Sequence, residues 1–334
     1  MNPQKQKNRF IAFNSLGERQ TDIDTPLGDA AFDSRHNCTY TIEDVVQTET
    51  VLDCQQQDIH EETVESQMKK LTVTYTSVTA QIIAFWLAFF LSAAAAPVTV
   101  GSKKKHALTR STDDDLAAFG FVEGFEDDST PAQKYKGFKV DSLAFTLNRR
   151  KNVGLTVVAY GHFETEDVTE DFVLPACVNL PALKGRDCKF LLNAVNKSSL
   201  LWQNNFTVNN SIPTGDDAFP FDDINVENLE RGAQPTYPGN VQILGSKGDT
   251  PYTDAEARAR QAVKVQFGAD AADRVELSFP STQLKLANPP TVFVGELNRS
   301  AINIDLNPHK DATLGAPLKA DAFLSQTEAF LLTA

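Results

Sequence analysis

The chain has 334 residues, of which 41% are hydrophobic and 22% charged, so it can bury a core in one large domain or two ordinary ones. Its 44 acidic and 31 basic residues give a net charge of −13, which argues against a protein that binds nucleic acid through the phosphates. Four scattered cysteines without a C-x-x-C pair argue against a disulfide-built scaffold and against a structural zinc site.

The N-terminal part of the chain changes from irregular to strand-like. Residues 1–38 are polar and contain scattered Gly and Pro, which predicts an extended arm. Residues 39–54 are rich in β-branched side chains without a helical period, which predicts strands, and the polar residues 55–67 predict a loop. In residues 71–78, LTVTYTSV, apolar side chains alternate with threonines, as expected of a half-buried strand.

The most apolar segment follows at residues 81–98, QIIAFWLAFFLSAAAAPV. Its continuous apolar run is about half the length that a membrane-spanning helix needs. A start at Met68 would make it a secretion signal, but the strand pattern before it interrupts such a signal. We therefore expect a helix over residues 79–96, enclosed by its own domain or by another subunit. Its candidate buried or interface residues are Ile82, Phe85, Trp86, Phe89 and Phe90.

The middle of the chain predicts a long loop and then a hairpin. Residues 101–136 carry a basic run and an acidic run without clear periodicity, which predicts the loop. Residues 137–163 contain two alternating segments around a turn at 148–152, which predicts the hairpin. The alternation slips by one residue near Asp141 and Ser142, which indicates a β-bulge.

The second half repeats the order of elements seen in the first. Strand-like segments near 188–208 and 241–245 precede TDAEARARQAVKVQFGA, which predicts a helix over residues 253–268 with Thr253 and Glu256 as a capping box. Alternating strands follow at 275–279 and 302–306.

Each half thus contains strands, one helix and a strand pair, which indicates an internal duplication. The expected units are a first β-domain at residues 39–175 and a second at 176–334. Together the elements predict a mainly β fold, a sandwich or barrel with one or two flanking α-helices.

Motifs for catalysis are missing from the sequence. HEETV at residues 60–64 lacks the second histidine of a zinc-protease helix, and neither a G-x-S-x-G elbow nor a phosphate-binding loop occurs. The acidic residues 214–230 do not have the spacing of a calcium loop. We therefore expect no enzyme, no catalytic residue, no cofactor and no metal site, although a glycosidase-like carboxylate pair stays open.

The order and pattern of five segments resemble the tail tube proteins of long-tailed bacteriophages and prophages. These segments are VTAQIIAFWLAFFLSAAAAPV, LTRSTDDDLAAFGFVEGF, YKGFKVDSLAFTL, VELSFPSTQLKLA and GAPLKADAFL. The resemblance covers about residues 39–330, although this family has no short diagnostic motif. It implies β-sandwich subunits that form hexameric rings, or trimeric pseudo-hexameric rings where one chain carries two tandem tube folds.

The resemblance also implies a location and partners. The rings would stack into a hollow tube in the virion tail, assembled in the host cytoplasm, with the tape measure, terminator and baseplate or tip proteins as neighbours and no membrane contact. DNA would pass through the lumen without specific binding, and an acidic lumen would repel its phosphates. Glu276 and Asn303 are examples of polar residues that could face it.

Other functions are compatible with the same pattern. The chain could be another ring-forming virion component, namely a tail terminator, a baseplate hub or a capsid decoration protein. It could also be a secreted bacterial β-protein whose translation starts at Met68.

Overall fold

A computed structural model describes most of the chain, namely residues 9–14, 30–33, 38–52, 59–111, 116–125, 133–162, 165–167, 181–214 and 229–325. These residues form a mainly β fold, as the alternating sequence segments predicted, and their strand pairings are antiparallel. Two α-helices occur in the described ranges, α1 (Ala80–Leu91) and α2 (Thr250–Glu256).

The strands are numbered in chain order. The first half contains β1 (Arg9–Asn14), β2 (Ala30–Asp33), β3 (Cys38–Leu52), β4 (Ile59–Tyr75), β5 (Ser92–Ala94), β6 (Val98–Val100), β7 (Lys103–Arg110), β8 (Ala118–Phe125), β9 (Gln133–Asn148), β10 (Gly154–Gly161) and β11 (Glu166–Asp167). The second half contains β12 (Lys189–Leu192), β13 (Val195–Asn196), β14 (Leu201–Asn209), β15 (Gly239–Leu244), β16 (Arg260–Phe267), β17 (Arg274–Val294), β18 (Arg299–Pro308) and β19 (Lys319–Leu324).

Eight strands form the main sheet, in the order β3-β4-β10-β9-β14-β15-β18-β17. The long strands β9 and β17 extend out of this sheet. The first part of β9 pairs with β8, which pairs in turn with β1 and then β2. The first part of β17 pairs with β16 on one side and with β19 on the other. These three strands form a second sheet, which continues with β12 beside β16 and with β7 beside β19.

The two halves of the main sheet have the same strand order. The first half contributes β3-β4-β10-β9, and the second contributes β14-β15-β18-β17. In both halves a helix follows the first two strands, and one further strand, β8 or β16, pairs with the first part of the long strand. In this comparison β3, β4, β9 and β10 correspond to β14, β15, β17 and β18.

One hydrophobic core serves both halves. Phe145 of β9 stacks on Phe206 of β14 with ring centroids 4.7 Å apart, and it lies 5.3 Å from Phe267 of β16. The same cluster of buried side chains contains α1 and the aromatic residues of β1 and β8. The predicted boundary between residues 175 and 176 lies outside the described residues.

Helix α1 is shorter than the expected helix over residues 79–96. Thr79 caps its start, because the side-chain oxygen accepts a hydrogen bond from the Ile82 amide at 3.3 Å. Ser92 ends it in a left-handed conformation with φ of 65°. The alanines after it favour a helix intrinsically, but Ser92–Ala94 pair with β7 instead.

The expected helix over residues 253–268 is wrong beyond its first part. The helix covers only Thr250–Glu256, and Arg258 then adopts a positive φ of 53°. Residues 260–267 form β16, which pairs with both β12 and β17 and buries Val263 and Val265. Pairing and burial on the sheet therefore outweigh the helix propensity of the Ala- and Arg-rich sequence.

Three predicted irregular segments contain strands. The expected loop at 101–136 includes β7 and β8, the expected loop at 55–67 includes the start of β4, and the expected arm at 1–38 includes β1 and β2. The hairpin prediction is confirmed, including its bulge. Val158 opposes Ser142 and Ala159 opposes Val140, so Asp141 is the extra residue.

Candidate assembly surfaces

The structure places all five candidate helix residues within α1. Ile82 is 7% exposed, and the other four are at most 1% exposed. The Trp86 indole donates a hydrogen bond to the Tyr75 hydroxyl at 3.2 Å, and its ring lies 4.9 Å from that of Phe13 and 5.2 Å from that of Phe119. The chain itself thus encloses the helix, and these side chains are not available to a neighbouring subunit.

The face of the main sheet that points away from the core is lined by small, mostly uncharged polar side chains. Alternation along each strand puts the apolar residues into the core and leaves these on the opposite side. We call this surface the polar face and define it by Thr72, Thr74, Thr146, Thr156, Asn205, Thr207 and Gln242. Asn303, one of the two expected lumen residues, opposes Gln242 but is buried, and its amide donates to the Pro289 carbonyl oxygen at 3.2 Å.

The charges on and beside the polar face are of both signs. Lys285 and Asp305 occupy opposing positions on β17 and β18, and the Lys70 ammonium lies 3.4 Å from the Glu43 carboxylate. The face therefore differs from the acidic lining expected from the net charge. Its side chains can form hydrogen bonds, but their charges do not create a strong electrostatic field of one sign.

Glu276, the other expected lumen residue, lies in the part of β17 that belongs to the second sheet. Its carboxylate accepts hydrogen bonds from Lys264 at 3.0 Å and from Arg274 at 3.1 Å. Burial alone would raise the pKa of Glu276, but these two hydrogen bonds outweigh burial and lower it. Glu276 therefore stabilises the second sheet.

The two edges of the main sheet are open within the described ranges. No described strand pairs with the outer side of β3, or with the outer side of β17 after residue 284. Three apolar side chains at these edges, Tyr40 and Ile42 of β3 and Leu286 of β17, are only partly buried against the core. An unpaired edge with half-covered apolar residues favours pairing with another chain.

The hairpin of β3 and β4 extends beyond the main sheet. The partner strand β10 ends opposite Lys69, whereas β3 and β4 continue to pair with each other as far as Leu52 and Ile59. This part of the hairpin has no other strand partner among the described residues. It forms a two-stranded ribbon that leaves the sheet at one end.

A buried polar network fixes the chain near the β9 bulge. The Asn210 amide donates to the backbone oxygens of Phe90 and Val140, and its oxygen accepts from Arg231 at 3.0 Å. The Asp141 carboxylate accepts from the backbone amide of Ile212, and burial raises the pKa of Asp141. The network connects the end of α1 to the bulge and to the chain after β14.

The remaining candidates for chemistry from the sequence are metal-binding groups and cysteines. No group of three His, Cys, Asp or Glu side chains there could hold a metal ion, and residues 60–64 belong to strand β4. Most of the acidic segment 214–230 lies outside the described ranges, as do Cys54 and Cys177. Cys188 is a free thiol, and burial raises its pKa to about 11, which disfavours the reactive thiolate.

Among the helices that the structure describes, none is long and apolar enough to cross a membrane. The chain matches no known protein-family model and no curated protein sequence.

Sequence reasoning missed the edge residues that the structure singles out. Tyr40 and Ile42 lie in a segment that was correctly predicted as strands, whereas Leu286 lies beyond the predicted strand at 275–279, which the structure extends to Val294. Their position at a sheet edge depends on pairings between distant segments, and a single sequence carries no signal for that order.

Proposed function

We propose that the chain is a structural subunit that assembles into rings, and that the rings stack into a hollow tube like those of phage tail tube proteins. The repeated strand order of the main sheet carries this proposal. It supports an origin by duplication, in which each half is one tube-like unit.

The junction between the two halves supports a mode of assembly. Strand β9 of the first half pairs with β14 of the second. Their counterparts, β17 and β3, are the two open edges of the same sheet. A second copy placed beside the first can repeat this junction with the edges that remain. Such a head-to-tail contact uses two different surfaces and closes into a ring if the rotation per copy allows it.

The polar face gives the proposed ring its inner surface. A sheet that continues from copy to copy would line the whole inner surface of the ring with the same Thr, Asn and Gln side chains. DNA phosphates would meet hydrogen-bonding groups but few cations, so that they pass without adsorbing. Three chains with two units each would give the pseudo-sixfold ring.

In the alternative of a secreted protein that starts at Met68, signal cleavage would remove central parts of the fold. A mature chain that begins near Ala96 would lack α1, whose side chains lie at the centre of the core, and also β4 of the main sheet. The observed packing therefore favours the use of the full sequence.

Negative-stain electron microscopy of the purified chain at rising concentration tests the proposal, with sedimentation velocity for the mass of the smallest closed species. We expect rings of three chains and stacks of such rings. Rings that never stack would favour a terminator, hub or decoration protein. A monomer at every concentration would refute the proposal.

A further inference from the structure

We propose that β3 of one copy pairs antiparallel with residues 285–288 of β17 of the next copy, in the register of the internal junction between β9 and β14. This inference rests on the proposed function and makes it specific, because it names the opposing residues. It follows from the pairings within one chain, taken strand by strand.

The two long strands can be aligned through their hairpins. In the first half, Leu143 of β9 faces the core and opposes Val157 of β10. In the second half, Leu284 of β17 faces the core and opposes Leu306 of β18. We align Leu143 with Leu284, because aligning Phe145 with Leu284 instead would place Tyr40 opposite Thr282, which already pairs with Gln261 of β16. The core-facing residues two positions later, Phe145 and Leu286, correspond as well.

The alignment continues across the next two strands of each half. Val157 is opposed by Val73 of β4, and Leu306 is opposed by Gly239 of β15. Val73 is opposed in turn by Tyr40 of β3, and Gly239 is opposed by Phe206 of β14. Tyr40 therefore corresponds to Phe206, and β3 corresponds to β14 residue by residue.

The internal junction then fixes the register between copies. Phe206 opposes Phe145, and the two rings stack at 4.7 Å. Phe145 corresponds to Leu286, and Phe206 corresponds to Tyr40. Tyr40 of one copy is thus expected directly opposite Leu286 of the next.

Burial of the edge residues agrees with this register. At the internal junction Phe145 is 1% exposed and Phe206 is 5% exposed, because each covers the other. At the open edges the corresponding Leu286 and Tyr40 are only partly buried, and so is Ile42, which the same register places next to Leu284, where the coverage of β17 by β16 ends. Pairing would remove these apolar side chains from water.

The polar side of the two strands is compatible with the same register. Thr41 would oppose Lys285, and the Glu43 carboxylate, two positions further along β3, would be a diagonal neighbour of the Lys285 ammonium. The pairing would begin at Lys285, because Arg260 of β16 already opposes Gln283.

Residues 287–290 of β17 bulge out of the ladder with β18, because Leu286 opposes Ile304 and Thr291 opposes Ile302. Pro289 and Pro290 within this bulge have no amide hydrogen to donate, which places the end of the pairing no later than residue 288.

Cysteine cross-linking tests the register. In a background with Cys38, Cys54 and Cys177 replaced by alanine, Thr41→Cys is combined with Lys285→Cys, and separately Thr39→Cys with Ala287→Cys. All four positions are at least partly exposed. Directly opposite positions come within reach of a disulfide. Within one chain each pair is separated by the width of eight strands, roughly 30 Å, so a bond can form only between copies.

The control combines Thr39→Cys with Lys285→Cys, which the register displaces by two residues to about 7–8 Å. After mild oxidation, we expect both matched pairs to lose the monomer band on a non-reducing gel, and reductant to restore it. The displaced pair should stay monomeric on the gel. Electron microscopy of each reduced sample shows independently whether rings form.

The outcomes separate the two proposals. Rings with cross-linking only in the displaced pair would overturn the register but keep the proposed function. Rings without a cross-link in any pair would mean that these edges do not meet, which also overturns the inference. Absence of both rings and cross-links would overturn the register and the proposed function together.

Discussion

Replacing Trp86 by alanine tests the central position of helix α1. Its side chain is fully buried, with the rings of Phe13, Phe85 and Phe119 between 4.9 and 5.2 Å away, and it donates a hydrogen bond to Tyr75. Truncation of such an aromatic residue costs about 3–5 kcal/mol. That is a large part of the roughly 5–15 kcal/mol that holds a domain folded.

Urea unfolding followed by circular dichroism measures this cost. We expect the midpoint of the Trp86→Ala variant to fall by about 1 M or more, with an unchanged slope. Trp202→Ala is the matched control, because the same side chain is removed from a position that is only half-buried. The control should lose much less of the free energy of unfolding.

One result would contradict the enclosure of helix α1 by the chain. If Trp86→Ala lowers the free energy of unfolding no more than Trp202→Ala does, the helix is not enclosed as described. If the alanine variant is insoluble, Trp86→Phe serves instead. It keeps ring contacts but removes the hydrogen bond to Tyr75, and should fall between wild type and alanine.

Three further predictions concern single contacts. Asn204 is fully buried and neither polar atom of its side chain has a partner among the described residues, so Asn204→Leu should raise the free energy of unfolding by about 1–3 kcal/mol; a loss in urea melts would contradict this. The pKa of Glu276 is below its ordinary value of 4.5, so its stabilisation is complete above pH 4.5 and is lost as the pH falls below it. The difference in unfolding free energy between wild type and Glu276→Gln should therefore shrink from pH 7 to pH 3, and a constant difference would contradict the ion pair. A Cβ atom on Gly185 would lie 2.0 Å from the Asn148 carbonyl oxygen, so Gly185→Ala should lower the thermal midpoint, whereas Gly154→Ala, where the nearest atom would be 3.5 Å away, should lower it less.

The local pattern of apolar and polar residues was sufficient to predict an element where one of its faces is buried and the other is exposed. The β9 bulge at Asp141 was visible in the sequence because the alternation of buried and exposed residues changes phase there. Strand β8 was missed because Ala118–Val122 are buried on both faces, so their side chains show no alternation. The residues of β16 also have intermediate propensity, and only pairing with β12 and β17 determines their state.

The candidate surfaces depend on non-local order. The sequence predicts that Tyr40 lies on a strand and that a strand begins before Leu286, but a strand at the edge of a sheet has the same local pattern as one in the middle. Their significance became visible once eight strands had been placed in order. The polar face likewise combines residues from strands that are distant in sequence.

The junction between β9 and β14 joins two units that are already tied by the peptide chain. In a ring built from this protein, every second junction would therefore form at an effective concentration set by the linker and independent of how much protein the cell makes. Only the alternate junctions would require an encounter between molecules. Substitutions at β9 and β14 would then act on folding yield, and those at β3 and β17 on the concentration threshold for assembly, so the two kinds of contact are free to evolve separately.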